Sequence, residues 1–187
     1  MKSRILVLAA LVASLGLALP SKATSINEQS NEQSLETKLL AQSSWVSIKP
    51  GEYFQFEMPG TPQDSAPGQP RVRQRKFEWK DSNSLFRVTY IDYGVGGIPQ
   101  NNFDREVSNI LKSLNKTYLL ERGQNMPLDG YPGREFREAS PKGVFVLRLY
   151  ANVNILYILR AESSEENANR FVNSFKFCQW SHCGNVP

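Results

Sequence analysis

The sequence predicts an α+β fold, with about seven largely antiparallel strands packed with two main helices. Three observations predict it. Several segments of strand length are alternating or continuously apolar. Two segments carry a single apolar stripe at helical spacing. The chain has 187 residues, 40% of them hydrophobic, which suits one domain with a real core and not two large ones.

Tyr53-Phe-Gln-Phe-Glu-Met reads as a strand stopped by Pro59-Gly60, with Thr61-Pro62 reinforcing the stop. In the stretch 70–80, Arg71, Arg73 and Arg75 alternate with Val72 and Gln74, so a strand would project three guanidiniums from one face. Phe77 and Trp79 share that parity, which puts aromatics beside arginines or requires a bulge. Leu85 to Tyr93 is a further strand, with Phe86, Val88 and Tyr90 on one face and Arg87 and Thr89 on the other. Gly94-Val-Gly-Gly-Ile-Pro is then a turn into the first helix.

That helix is expected over 102–115. Phe103, Val107, Ile110, Leu111 and Leu114 form its stripe, and Asn101 or Asn102 is its cap. Tyr118-Leu-Leu-Glu-Arg is a candidate short strand. Val144–Ala151 and Ile155–Ala161 flank Asn152-Val153-Asn154 as a tight hairpin. Both hairpin strands are apolar on both faces, so they belong in the middle of the sheet. The second helix is expected over 164–175, with Ser163 and Glu166 as a capping box and Ala168, Phe171, Val172 and Phe175 facing inward. The strands should contribute Phe54, Phe56, Phe86, Val88, Tyr90, Phe145, Leu147, Leu149, Tyr157 and Leu159 to the core. The helices should add Val107, Ile110, Leu111, Phe171 and Phe175.

Residues 1–23 have the three parts of a signal peptide. Lys2 and Arg4 lead, Ile5 to Leu19 form an apolar run, and Ser21-Lys22-Ala23 offers a cleavage site after Pro20. The run is short for a bilayer span. Removing Lys2, Arg4 and Lys22 from the 22 Lys+Arg leaves 19 against 18 Asp+Glu, so the basic excess leaves with the leader and nucleic acid is not an expected partner. Residues 24–44 are polar, with Asn31-Glu-Gln-Ser echoing Asn27-Glu-Gln-Ser, and read as a flexible linker. The domain follows, over 45–187.

Export to the periplasm or thylakoid lumen, or secretion, makes Cys178 and Cys183 a disulfide closing a short C-terminal loop. The alternative, a metal site of both thiolates with the single histidine, His182, lacks a fourth ligand, so no metal or cofactor is expected. A hydrolase triad would have only that histidine to use. No nucleophile elbow, zinc helix or phosphate loop is found. Asp92, Asp129, Glu135 and Glu138 are loop-proximal carboxylates that could serve an enzyme, with nothing to say that any two converge. Arg71, Arg73, Arg75 and Lys76 are the candidate binding residues, for an anionic envelope ligand or lipid headgroup. The simpler reading of the same residues is a strand edge kept soluble by its charges.

Asp129-Gly-Tyr-Pro-Gly-Arg-Glu-Phe-Arg places Gly130 and Gly133 around Pro132 in a tight turn that re-enters extended structure. With Met58-Pro-Gly-Thr-Pro62, the Arg-Leu-Tyr…Leu-Tyr-Ile-Leu hairpin and the closing Ser174-Phe-Lys176, this turn resembles a group of uncharacterised exported bacterial proteins of cyanobacterial type. The resemblance covers about 45–177. More distantly, the order of elements is similar to the PsbP-like and Mog1-like α/β/α sandwich. That resemblance implies an antiparallel sheet between helices and carries no site residue across. The functional expectation is an exported, non-catalytic accessory or interaction domain with a protein partner. An anion-binding module and a carboxylate enzyme are the alternatives.

Overall fold

The structure, a computed structural model, describes residues 45–51, 53–68, 73–97 and 100–178. The expected leader and linker, Arg71 and Cys183 lie outside the described residues. The chain is an α+β fold. Its strands are β1 (Trp45–Ile48), β2 (Phe54–Pro59), β3 (Gln63–Asp64), β4 (Gln74–Lys80), β5 (Leu85–Asp92), β6 (Gln124–Asn125), β7 (Gly133–Ser140), β8 (Gly143–Asn152), β9 (Ile155–Ser163) and β10 (Lys176–Phe177). Its helices are α1 (Gln100–Ser113) and α2 (Glu165–Ser174).

Seven strands form one antiparallel sheet in the order β3-β4-β5-β9-β8-β7-β6. The hairpin strands β8 and β9 are central, as their two-sided apolar pattern requires. A smaller sheet, β1-β2-β10, pairs Phe54 with Phe177 and Phe56 with Ile48.

Each face of the large sheet has its own core. On one face α2 and the small sheet enclose Phe56, Phe86, Val88, Leu159 and Phe171. On the other, α1 and a 3-10 turn at Thr117–Arg122 cover Val107, Leu111, Leu119, Phe136 and Leu147. Phe171 is fully buried with its ring 5.2 Å from that of Phe86. Burying a phenylalanine stabilises by about 1.5–3 kcal/mol, so this contact holds α2 to the sheet.

Four local expectations are corrected. Tyr118–Arg122 is part of a 3-10 turn, not a strand. Leu119 and Leu120 both pack toward the α1 core, whereas a strand would send neighbours to opposite faces. Helix α1 begins at Gln100, so Asn101 and Asn102 lie inside its first turn and are not caps. The cap of α2 is Ser164, whose Oγ accepts from the Asn167 N–H at 3.4 Å. Ser163 ends β9 instead, buried against Ser84 Oγ at 2.9 Å. Finally, Ile110 packs against the α1 core only partly buried.

Candidate functional site

Strand β4 runs in unbroken register against β5 from Gln74 to Lys80, so no bulge shifts its phase. Arg75 therefore shares a face with Phe77, which is buried, and Trp79. Its guanidinium lies 4.9 Å from the Phe77 ring centre and pairs with Asp64 through Nε at 2.9 Å and through Nη2. Lys76 projects from the opposite face, and Arg73 is exposed beyond the end of the strand. Among the described members of the arginine-rich set, Arg75 and Lys76 are separated by the sheet and Arg75 is held by a carboxylate.

Of the carboxylates expected near loops, Glu135 and Glu138 lie within β7 and are held by basic partners. Glu135 is buried and accepts from Arg148 Nε at 2.6 Å and Arg137 Nε at 2.6 Å. Arg148 Nη1 donates to the Val172 carbonyl at 3.0 Å and to Asn173 Oδ1 at 3.1 Å, tying β7 and β8 to the end of α2. Glu138 pairs with Lys116 and accepts from the Tyr118 hydroxyl. Burial works to raise the Glu138 pKa, yet these hydrogen bonds outweigh it and leave the group below the usual carboxylate range. Asp92 Oδ1 accepts from the Gly94 N–H at 2.7 Å. No group of three metal-ligating side chains occurs among the described residues.

Four separated pieces of chain meet at one end of the large sheet. They are the segment entering β2, the Leu128–Tyr131 turn, the β8–β9 hairpin tip, and the strand β10. Between them lies an open cleft of about 630 Å³. Tyr53, Tyr131, Tyr157 and Phe177 give it aromatic walls, and Asp129, Asn152 and Asn154 give it polar groups. The Phe177 ring centre is 5.3 Å from that of Tyr131 at 75° and 5.3 Å from that of Tyr157 at 64°, so the rings form corners. The Cys178 N–H donates to the Tyr53 carbonyl at 2.8 Å and closes one wall. Two cleft residues, Asp129 (φ 51°) and Val153 (φ 42°), hold left-handed backbone that is strained for a β-branched residue such as Val153.

Tyr157 is the middle of a cross-strand row, paired with Tyr90 on β5 and Tyr150 on β8. The outer hydroxyls have guanidinium neighbours. Arg75 lies beside Tyr90, and Arg148 Nη1 donates to Tyr150 Oη at 3.4 Å. Among the described residues the Tyr157 hydroxyl has no hydrogen-bond partner, although the residue is 1% exposed. Burial pushes its pKa up, with Tyr90, Asp92, Tyr131 and Tyr53 adding to the shift, so the phenol is neutral at physiological pH. The residue lines the cleft, but its hydroxyl is sealed from solvent.

No protein-family model matches the chain. No curated protein matches it either. Among solved structures, it is similar to a protein of Bacteroides thetaiotaomicron whose crystal structure was determined at 1.50 Å resolution. The two share 14% identity at a TM-score of 0.36, over 71% of this chain and 48% of the other. The chain thus spans about half the length of that protein.

The cleft was absent from the sequence expectations, though its parts were in view. Asp129 was a loop carboxylate, Asn152-Val153-Asn154 a turn, and Tyr157 a core residue. The signal that could have marked Tyr157 is its hydroxyl. A buried tyrosine normally finds a hydrogen-bond partner, and a strand reading Ile-Leu-Tyr-Ile-Leu offers none nearby.

Proposed function

We propose that this chain is an exported, non-catalytic binding domain, an accessory protein whose ligand or partner is received in the aromatic cleft. The observation that carries the reading is the open, aromatic-walled cleft where four separated pieces of chain meet. Aromatic walls with a few placed polar groups are the usual makeup of ligand pockets. The ion pairs that hold Glu135 and Glu138 support a binding role over acid–base chemistry. The leader-like start of the chain supports export. The resemblance to PsbP-like and Mog1-like sandwiches belongs to the same proposal, supported by the antiparallel sheet with a main helix on each face.

The test is a fragment screen on the exported chain by NMR, following aromatic resonances. Hits are expected to shift Tyr53, Tyr131, Tyr157 and Phe177 together. Hits that leave these rings unmoved and instead shift β4 would overturn the cleft in favour of the arginine strand.

A further inference from the structure

We propose that the cleft holds the chain's own Trp180 in the free protein, so that a ligand enters only by displacing that indole. The proposal rests on the cleft being the binding surface and adds how its occupancy is controlled.

Chain connectivity brings Trp180 there. Strand β10 runs antiparallel to β2 with Phe177 opposite Phe54, and the bond from the Cys178 N–H to the Tyr53 carbonyl, 2.8 Å, carries the pairing one residue further. The ladder delivers the chain to the cleft, where Cys178 is itself a lining residue beside Tyr53. Gln179-Trp180-Ser181-His182-Cys183 follows. Two extended residues span about 7 Å at most, so the Trp180 Cα lies within that reach of the Cys178 Cα. A tether this short gives an effective concentration of about millimolar or more, without the translational cost that a separate ligand meets. A disulfide between Cys178 and Cys183 would bracket Trp180 and return both ends of its loop to the same wall.

The surface of the cleft suits an indole. Two of its lining residues present large apolar surface to solvent, Tyr53 at 59% exposure and Val153 at 69%. An indole laid against them removes apolar area from water on both partners, and tryptophan brings more of it than any other side chain. Val153 keeps its surface at a backbone cost, a left-handed φ of 42° that Asn or Gly would hold without strain. The indole N–H is a donor only, and Asp129, Asn152 and Asn154 offer acceptor oxygens. Charge agrees. None of the described lining residues is Lys, Arg or His, so Asp129 sets the sign of the local field. Residues 179–183 include no Asp or Glu, and His182 is their one basic group, so Asp129 does not repel them.

The experiment compares the exported chain with its Trp180→Ala variant, which leaves the described core residues untouched and whose fold is checked by circular dichroism. In the parent, nuclear Overhauser contacts are expected between the Trp180 indole and the rings of Tyr53 and Tyr131, unchanged on dilution. Free indole, the probe ligand, is then titrated into both proteins and followed by the ring shifts of Tyr53 and Tyr131. It should bind Trp180→Ala about tenfold more tightly than the parent, the factor set when the tethered indole fills the cleft nine-tenths of the time. Contacts that vanish on dilution would place Trp180 in the cleft of a second copy and overturn the proposal. Equal indole affinity for the two proteins would overturn it as well and leave the cleft as a binding surface. Indole moving the rings of neither protein would overturn both readings.

Discussion

At the scale of single residues, the three tyrosines that face each other across β5, β9 and β8 differ in one respect. Tyr90 and Tyr150 each have an arginine beside the hydroxyl, and Tyr157 between them has no partner among the described residues. Tyr157→Phe should therefore stabilise the unliganded protein, by about 1 kcal/mol, because it removes a buried polar group that lacks a partner. Urea denaturation measures this, and a lower midpoint in the variant would mean that the hydroxyl is satisfied after all. Gly133 makes the opposite case. A Cβ there would lie 2.6 Å from the Tyr150 ring and closer still to the Met126 carbonyl, so backbone must move to admit it. Gly133→Ala should cost about 2 kcal/mol or more, read as a lower urea midpoint, whereas Gly130→Ala meets no neighbouring atom and strains only a positive φ of 80°. This pair of glycines accounts for the Gly-Tyr-Pro-Gly turn, which delivers Tyr131 to the cleft and then Glu135 and Phe136 to the interior.

At the scale of elements, β4 shows how one register decides which charges are available. Arg75 falls on the face of Phe77, where Asp64 of β3 accepts from it and the Ala66 N–H also donates to Asp64 at 3.0 Å. The hydrogen bond from Arg75, and then that from Ala66, hold the Asp64 carboxyl below its ordinary range against the opposing effect of burial. A carboxylate with a lowered folded pKa stabilises the fold above its unfolded pKa, about 3.9, and ceases to do so as pH falls through the folded value. Asp64→Asn should thus cost about 1–2 kcal/mol at pH 7, and the gap to the parent should close as pH drops below about 3.9. Urea midpoints of both proteins measured from pH 7 downward check it. A gap independent of pH would make the contact one of packing and not of charge.

At the scale of the whole molecule, the C-terminal strand β10 adds Phe177 to the small sheet, and Cys178 follows on the cleft wall. We expect Cys178 and Cys183 to be paired if the chain is exported, since two thiols this close in sequence oxidise in such a compartment. The closed loop is short, so replacing both cysteines by Ser should cost about 2 kcal/mol at most, seen as a modest fall in melting temperature. Intact mass under non-reducing conditions should show the loss of two hydrogens, and two titratable thiols in protein taken from the export compartment would defeat the pairing.

Much of the fold was legible in one dimension. The stripe of Phe103, Val107 and Leu111, the alternation of Phe86, Val88 and Tyr90, and the two-sided apolar hairpin each carry the period of their own burial, so helix, strand and central position could be read from spacing. Boundaries slipped where the spacing was ambiguous, as at Ser163 and Ser164, where adjacent serines compete for one cap. The cleft was not legible, because residues 53, 129–131, 152–157 and 177 are distant in sequence and meet only through strand pairing. Periodicity marks Tyr157 as buried, which it is. Whether its hydroxyl finds a partner there depends on which side chains the neighbouring strands place beside it, and only the tertiary structure decides that.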